Sequence, residues 1–182
     1  MKNLSVSEMV LCAMFTVLII VGAFIKIPIP VVPFTLQFLF TLLAGLLLGS
    51  RLGTISVMLY AILGLIGLPV FAEGGGIWYL LKPSFGYIIG FILGTYATGK
   101  LIEQMDEFKW KQVLLANFTG LFIVYAVGMV YFYVICNYVI NTPIALWPLF
   151  LYCFILVVPG DIAICILAAA LFQRLKPVLK NK

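Results

Sequence analysis

Apolar residues along this chain form long, nearly uninterrupted stretches, and short segments with proline, glycine or charged residues separate them. A transmembrane helix needs about 20 consecutive apolar residues, so these stretches indicate membrane spans. We expect all of them to be helices because lipid offers the backbone no hydrogen-bonding partners. The pattern predicts six spans, over residues 9–25, 35–49, 53–68, 85–102, 113–139 and 146–172.

Composition indicates the same class of protein. Hydrophobic residues make up 65% of the 182 residues and charged residues 9%, whereas a soluble domain carries about 25% charged residues. The length accommodates one transmembrane domain, residues 1–182, without a separate ATPase or soluble catalytic domain. We therefore expect a single-domain, all-α integral membrane protein.

Basic residues are distributed unequally between the two faces that six spans define. Both termini would lie on one face, with most of the lysines and arginines, while Lys26 and Lys82 lie on the other. Cytoplasmic segments are enriched in basic residues, so both termini are predicted to be cytoplasmic. The net charge of +5 then reflects topology and gives no reason to expect a nucleic acid partner. The basic residues on the predicted cytoplasmic face are Lys2, Arg51, Lys100, Lys109, Lys111, Arg174, Lys176, Lys180 and Lys182.

The polar residues do not favour an enzyme. The chain contains no histidine, the most common general base and metal ligand. Outside the predicted cytoplasmic rim the only carboxylates are Glu73 and Asp161, whereas metal-dependent phosphoryl chemistry requires clustered carboxylates. We therefore predict no catalytic residues, no metal and no cofactor. An intramembrane Ser/Lys or aspartyl catalytic site stays open as an alternative, although Asp161 lacks a second aspartate.

Asp161 is the only charged side chain between Lys111 and Arg174. An ionised aspartate near the bilayer midplane costs roughly 2.5–3.5 kcal/mol on insertion scales, so it needs a partner, a watery cavity or a proton. Pro159-Gly160 directly precedes it and is expected to break the helix. Asp161 then either caps the broken helix through a structural hydrogen bond or contacts a ligand.

Two segments on the predicted outward face have unusual compositions. Residues 26–37 contain three prolines, which predict an extended apolar segment. Residues 69–83 combine aromatic residues with the triplet Gly74-Gly75-Gly76. That combination predicts a loop that folds over a bound molecule or, alternatively, an interfacial aromatic belt with a flexible tip.

The outward half of the chain collects the side chains that a small organic ligand needs, a few polar groups in an apolar setting. An acid and a cation together suit a ligand with hydrogen-bond donors at one end and an anion at the other. The candidate contacts are Asp161, Lys82, Lys26, Gln37, Glu73, Asn117, Phe71, Trp78, Tyr79 and Tyr87.

Glycines recur at every fourth residue in two places, which permits close approach of helix backbones. These stripes predict packing seams inside the bundle or, alternatively, a docking surface for a partner helix. They consist of Gly45, Gly49 and Gly53 and of Gly86, Gly90 and Gly94.

A set of short strings occurs in order along nearly the whole chain. It comprises Ile27-Pro28, Pro33-Phe34-Thr35-Leu36-Gln37, Leu42-Leu43-Ala44-Gly45, Leu48-Gly49, Gly64-Leu65-Ile66-Gly67-Leu68-Pro69-Val70-Phe71-Ala72, Pro83-Ser84-Phe85-Gly86-Tyr87 and Pro159-Gly160-Asp161. In this combination the chain resembles the BioY family, the biotin-specific substrate-binding (S) components of energy-coupling factor (ECF) transporters. The resemblance implies a six-helix S-component fold in the bacterial plasma membrane with a biotin pocket on the extracellular side.

The resemblance also implies partners. A transmembrane coupling protein and two ATP-binding-cassette ATPases would join the chain, and ATP hydrolysis by those partners would drive release of biotin inward. The chain itself would bind biotin without ATPase activity of its own.

Individual roles follow from the same resemblance. Asp161 would accept hydrogen bonds from the ureido N–H groups of biotin, and residues 69–76 would fold over its bicyclic ring. The remaining implied contacts are Phe71 or Trp78 packing on the ring, Glu73 as a polar contact and Tyr87 at the pocket wall.

The chain departs from the family pattern in two places. The position three residues after the acid is commonly lysine and is Ile164 here, so the cation for the ligand carboxylate is predicted to be Lys82, with Lys26 as second choice. Either lysine could instead be an interfacial residue that snorkels to water. In the first helix, the Ala-x-x-x-Ala pattern with which S components meet the coupling protein is replaced by Ala13-x-x-x-Val17.

Two alternatives to a biotin-binding subunit stay open at this point. One is an S component for another vitamin, such as thiamine or riboflavin. The other is a small membrane-embedded enzyme or an assembly scaffold.

Overall fold

A computed structural model of the chain describes residues 4–27, 34–105 and 107–180, and side chains as far as residue 175. The fold is all-α, as predicted, and the described residues include one short antiparallel ribbon of two strands. The helices are α1 (Val6–Phe24), α2 (Gln37–Leu65), α3 (Phe85–Glu103), α4 (Trp110–Val134), α5 (Leu146–Phe150) and α6 (Val158–Lys180). The shorter elements are β1 (Lys26–Ile27), β2 (Phe34–Thr35), a 3₁₀ helix (Ile77–Leu81) and π-helical turns at Ile135–Val139 and Leu151–Ile155.

Within the described residues, five helical segments are long and apolar enough to cross a membrane. They are Val6–Phe24, Gln37–Leu65, Phe85–Glu103, Trp110–Val139 and Leu146–Leu175. The prediction from the sequence was six spans. The difference arises at residues 35–68, where the two predicted spans form the single element α2.

Helix α2 reverses direction at Gly49. The Gln37 side chain Nε2 donates a hydrogen bond of 2.6 Å to the Tyr60 hydroxyl, although these residues lie near opposite ends of α2. A straight helix would separate them by roughly 35 Å. The backbone of Gly49 is non-helical, with φ 79° and ψ −176°. The element therefore consists of two antiparallel arms that meet at this glycine.

The carboxylate of Glu103, at the end of α3, holds this reversal in place. Glu103 Oε1 accepts hydrogen bonds from the backbone N–H of Ser50 at 2.6 Å and from the Ser50 hydroxyl at 2.9 Å. Ser50 begins the second arm of α2, where unpaired N–H groups and the helix dipole favour a negative charge. The α3 backbone also packs tightly against the start of the second arm, because a Cβ at Gly99 would lie only 2.5 Å from Ser50 N.

The two glycine stripes are packing seams inside the bundle, the first of the two interpretations from the sequence. A Cβ at Gly45 would meet the Thr95 carbonyl oxygen of α3 at 2.8 Å. A Cβ at Gly90 would meet Val124 backbone atoms of α4 at 2.9 Å. Such contacts bring helix backbones together where lipid supplies no hydrophobic driving force for association.

Before α6 the chain is irregular, and this places Asp161. The break lies at residues 151–157, ahead of Pro159, and not at Pro159-Gly160 as expected. Proline is tolerated in the first turn of a helix because its missing N–H would have no intrahelical partner there. Pro159 therefore lies inside α6, and Asp161 lies in the first turn of that helix.

The middle of the predicted extended segment, residues 28–33 with the three prolines Pro28, Pro30 and Pro33, lies outside the described residues. Lys2 and Lys182, which contribute to the predicted charge asymmetry, lie outside them as well. The parts of the segment on either side of residues 28–33 form the ribbon, in which Lys26 pairs with Thr35 and Ile27 with Phe34.

We predict that Gly49→Ala lowers the free energy of unfolding by about 1–3 kcal/mol, the usual cost of a glycine-only backbone conformation. The added Cβ would also lie 2.6 Å from Glu103 Oε1. Thermal unfolding of the purified protein in detergent measures the change. Leu59→Ala, on the exposed face of the second arm, serves as the control and should alter stability far less. An unchanged unfolding midpoint for Gly49→Ala would contradict the reversal at this residue.

Candidate ligand-binding site

A cavity opens at the end of the bundle where the ribbon and residues 66–84 lie. Its empty volume is about 690 Å³, including the space at its mouth. Pockets for small organic ligands have this character, with mostly apolar walls and a few polar groups. The lining comprises Phe34, Thr35, Gln37, Phe38, Tyr60, Ala72, Tyr79, Ser84, Tyr87, Ile88, Phe91, Val124, Tyr125, Cys153, Val157 and Asp161.

Asp161 is the only charged side chain among these lining residues. It is 7% exposed, and its Oδ2 accepts a hydrogen bond of 2.5 Å from the Tyr125 hydroxyl of α4. Its place in the first turn of α6 adds the favourable field of a helix N-terminus. The carboxylate thus has one strong protein donor and faces a cavity that can supply others.

Tyr87 provides a second hydroxyl in the same cavity. Its oxygen is buried beside the Cys153 side chain and has no nitrogen or oxygen partner within the described part of the chain. Its ring lies against Gly128, where a Cβ would approach the ring to 2.6 Å, and crosses the Tyr125 ring edge-on at 6.1 Å. A buried hydroxyl without a partner is costly, so this group has a free donor for a molecule that enters the cavity.

A second polar group in the lining consists of Thr35, Gln37 and Tyr60. The Thr35 hydroxyl donates to Gln37 Oε1 at 3.1 Å, and Gln37 Nε2 donates to the Tyr60 hydroxyl at 2.6 Å. Both polar atoms of the Gln37 amide are therefore engaged, and the amide is held in one orientation.

Phe71 lies behind the cavity wall and outside the lining. It is 1% exposed, and its ring packs against Tyr79 at 4.4 Å and Tyr60 at 5.3 Å between centroids. Both of those tyrosines line the cavity. Burial raises the pKa of Tyr79, which keeps the phenol neutral. Phe71 therefore supports two lining aromatics, and Trp78, which is 78% exposed, does not line the cavity.

The ion pair of Lys82 and Glu73 lies outside the lining as well. Lys82 Nζ is 3.0 Å from Glu73 Oε2, and both side chains are more than two-fifths exposed. The same ammonium lies 5.1 Å from the centroid of the Tyr79 ring. Lys82 and Glu73, both predicted as polar contacts for a ligand, are thus paired with each other.

Asn117 is buried between α4 and α6 and does not line the cavity. Its Nδ2 donates to the carbonyl oxygen of Cys165 at 2.9 Å, and its Oδ1 has no partner within the described residues. Of the ten side chains predicted as ligand contacts, four line the cavity, namely Asp161, Tyr87, Tyr79 and Gln37. Their roles in binding stay predictions, as do those of the other six.

Sequence reasoning missed Tyr125 and Tyr60. Tyr125 lies 36 residues before its partner Asp161 in an apolar stretch, and no local pattern distinguishes it from a membrane-facing tyrosine. Tyr60 contacts Gln37 only because α2 folds back on itself. Such pairings depend on helix packing and leave no local signature.

The arrangement suits a small, largely apolar molecule with two kinds of polar group. N–H donors on the molecule would bond to the Asp161 carboxylate, and a neighbouring acceptor would receive the Tyr87 hydroxyl. Aromatic walls would cover the remaining surface. Among the described residues, no three His, Cys, Asp or Glu side chains come together as metal ligands would.

Comparison with known proteins identifies similar chains. The model of the BioY family matches residues 1–181. A probable biotin transporter BioY of Lysinibacillus sphaericus is 44% identical over 181 residues, covering 100% of this chain and 92% of that protein. The biotin transporter BioY of Thermotoga maritima is 45% identical over 123 residues, covering 67% and 72%. The crystal structure of the S-component for biotin from an ECF-type ABC transporter superposes with a TM-score of 0.82 and 31% identity, covering 94% of this chain and 92% of that one.

We predict that Tyr125→Phe lowers the free energy of unfolding by about 1–3 kcal/mol, because Asp161 loses its hydroxyl donor in a buried setting. Thermal unfolding of the ligand-free protein in detergent gives the value. Tyr138→Phe removes the hydroxyl of a tyrosine that is 74% exposed and should leave stability unchanged. Equal effects from the two substitutions would show that the Tyr125 bond contributes nothing specific.

Proposed function

The chain belongs to the BioY family, and from that premise we propose that it is the biotin-binding subunit of an ECF-type transporter, with its cavity as the biotin site. The observation that carries the proposal is the buried Asp161 carboxylate, paired with Tyr125 and facing an aromatic cavity. The family, the biotin transporters similar over most of the chain and the superposed biotin S-component support it. The function is transport and not catalysis.

The polar groups of the cavity match the ureido ring of biotin. That ring has two N–H donors and one carbonyl acceptor. We assign the donors to the Asp161 carboxylate, whose oxygens can accept bonds beyond the one from Tyr125. We assign the carbonyl oxygen to the unpaired Tyr87 hydroxyl. Bound biotin would then provide hydrogen bonds to Asp161 and Tyr87 that the apolar surroundings do not provide.

The apolar parts of biotin fit the remaining walls. Phe38, Phe91, Ile88 and Val124 line the cavity together with Tyr79, and they would cover the thioether ring and the alkyl chain. No cofactor takes part in this scheme, since biotin is the cargo.

We further propose six membrane crossings in the bacterial plasma membrane, with both termini in the cytoplasm. Because α2 reverses at Gly49, its two arms can serve as separate crossings, which makes the number of crossings even. The two lysines at the mouth and the basic residues at the other end of the bundle then follow the positive-inside rule. The cavity opens outward in this orientation.

The partners in our proposal are a transmembrane coupling protein and two ATP-binding-cassette ATPases. One face of α1 is exposed at Ala13 and Val17, whereas Cys12 and Thr16 are buried against the second arm of α2. Thus the Ala13-x-x-x-Val17 stripe is available to a partner helix, and the adjacent Cys12-x-x-x-Thr16 stripe is not.

We predict that the purified protein binds biotin and that Asp161→Asn weakens binding by about 10-fold or more, as expected for loss of a charged hydrogen bond. Isothermal titration in detergent measures the dissociation constants, with thiamine and riboflavin as competing ligands. Glu107→Gln alters a carboxylate that pairs with Lys109 on the surface and should leave affinity unchanged. Tighter binding of thiamine or riboflavin would overturn the biotin assignment, and equal affinity of the Asp161 variant would remove its role.

For the partner surface, we predict that Ala13→Trp reduces co-purification of the coupling protein and ATPases while biotin binding is retained. The bulky ring would prevent close approach of a partner helix to α1. Phe122→Trp, at a residue 74% exposed on α4, is the matched control. The measurement is the ratio of subunits recovered after co-expression. Full recovery with Ala13→Trp would place the docking surface elsewhere.

A further inference from the structure

The two lysines at the cavity mouth have different electrostatic partners. Lys82 is neutralised by Glu73, with its Nζ 3.0 Å from Glu73 Oε2 and 3.3 Å from the Glu73 carbonyl oxygen. Lys26 makes no ion pair among the described residues, and residues 28–33, which follow it, carry no charged side chain. Among the described residues, no carboxylate therefore lies within ion-pair distance of its ammonium.

The ribbon directs the Lys26 side chain toward the cavity. Lys26 of β1 lies directly opposite Thr35 of β2, and residues opposite each other in an antiparallel pair project from the same face. The face used by Thr35 is the cavity face, since its hydroxyl bonds to Gln37 and both residues line the cavity. Lys26 thus leaves the ribbon on the side of the binding site.

The far end of the side chain reaches the other rim of the mouth. Lys26 Nζ donates a hydrogen bond of 2.9 Å to the carbonyl oxygen of Ala72, which is also a lining residue. The side chain therefore runs from the ribbon beside Thr35 to the loop at Ala72, across the opening. The Lys26 side chain thus connects two parts of the cavity rim, the ribbon and the loop at Ala72.

We propose that Lys26 supplies the cation for the carboxylate of the ligand. This inference rests on the proposed function, in which the ureido end of biotin lies at Asp161 and the alkyl chain extends toward the mouth. The lining offers no cation, since Asp161 is its only charged side chain.

The chemistry favours an exchange of acceptors at Lys26. In the ligand-free structure its partner is a neutral carbonyl oxygen, that of Ala72. A carboxylate forms a shorter and stronger bond to an ammonium than a neutral carbonyl does. An arriving carboxylate would therefore compete well for Lys26, whereas at Lys82 it would have to displace Glu73 or share the cation with it.

The test compares biotin with biotinamide, which retains the ring and chain but lacks the negative charge. In Lys26→Met, the affinity for biotin should fall by about 3- to 10-fold, the range between an exposed ion pair and a buried charged hydrogen bond. The affinity for biotinamide should change by less than about twofold, because no charge pair is lost. Isothermal titration of the full chain in detergent gives both values.

Lys82→Met is the matched control, since it removes a lysine from the same rim, and it should affect the two ligands equally. Lys26→Arg retains the charge and should restore the preference for biotin over biotinamide. The unsubstituted protein also tests the proposal, because its affinity for biotin should exceed its affinity for biotinamide.

Three results would overturn the role of Lys26. They are equal affinities of the unsubstituted protein for biotin and biotinamide, equal losses for both ligands in a well-folded Lys26→Met, and loss of the preference in Lys82→Met instead. A different result, in which the unsubstituted protein binds neither ligand, would overturn the biotin assignment itself.

Discussion

The interior of a membrane protein offers no water to a buried carboxylate, and much of this structure is arranged to satisfy that constraint at Asp161. A donor from α4, the N-terminus of α6 and the open cavity each lower the cost of the charge. The irregular backbone before α6 contributes as well, because it places the aspartate at a helix start and not in the middle of a continuous span.

At the other end of the bundle a more exposed carboxylate, that of Glu103, holds the fold together through Ser50. There Glu103 satisfies the N-terminus of the second arm of α2, and the close approach of Gly99 makes room for it. The Glu103 and Asp161 contacts position different helices. The Glu103 contact fixes the course of α2 and thereby brings Gln37 to Tyr60, while the Asp161 contact joins α6 to α4 beside the cavity.

Sequence reasoning reached the all-α class, the apolar stretches and Asp161 because each depends on local composition. It also identified the glycine stripes, since a four-residue period is visible in one helix. It did not reach Tyr125 or Tyr60, whose positions depend on which helices pack together. Lys82 and Lys26 show the same limit, because the sequence places both lysines on the predicted outward side and does not distinguish them. Only the folded chain shows that Lys82 pairs with a carboxylate and that Lys26 bonds to the Ala72 carbonyl oxygen at the cavity.

The bond between Tyr125 and Asp161 joins two helices, and Tyr87 adds a second hydroxyl from a third helix, α3. A molecule bound to both Asp161 and Tyr87 would cross-link α3, α4 and α6. Its affinity would then depend on the spacing of those helices as strongly as on the identity of the side chains. A force that separates these helices would therefore release the bound molecule without a competing ligand. Conversely, the bound molecule would oppose the separation until the work done on the helices exceeds its binding free energy.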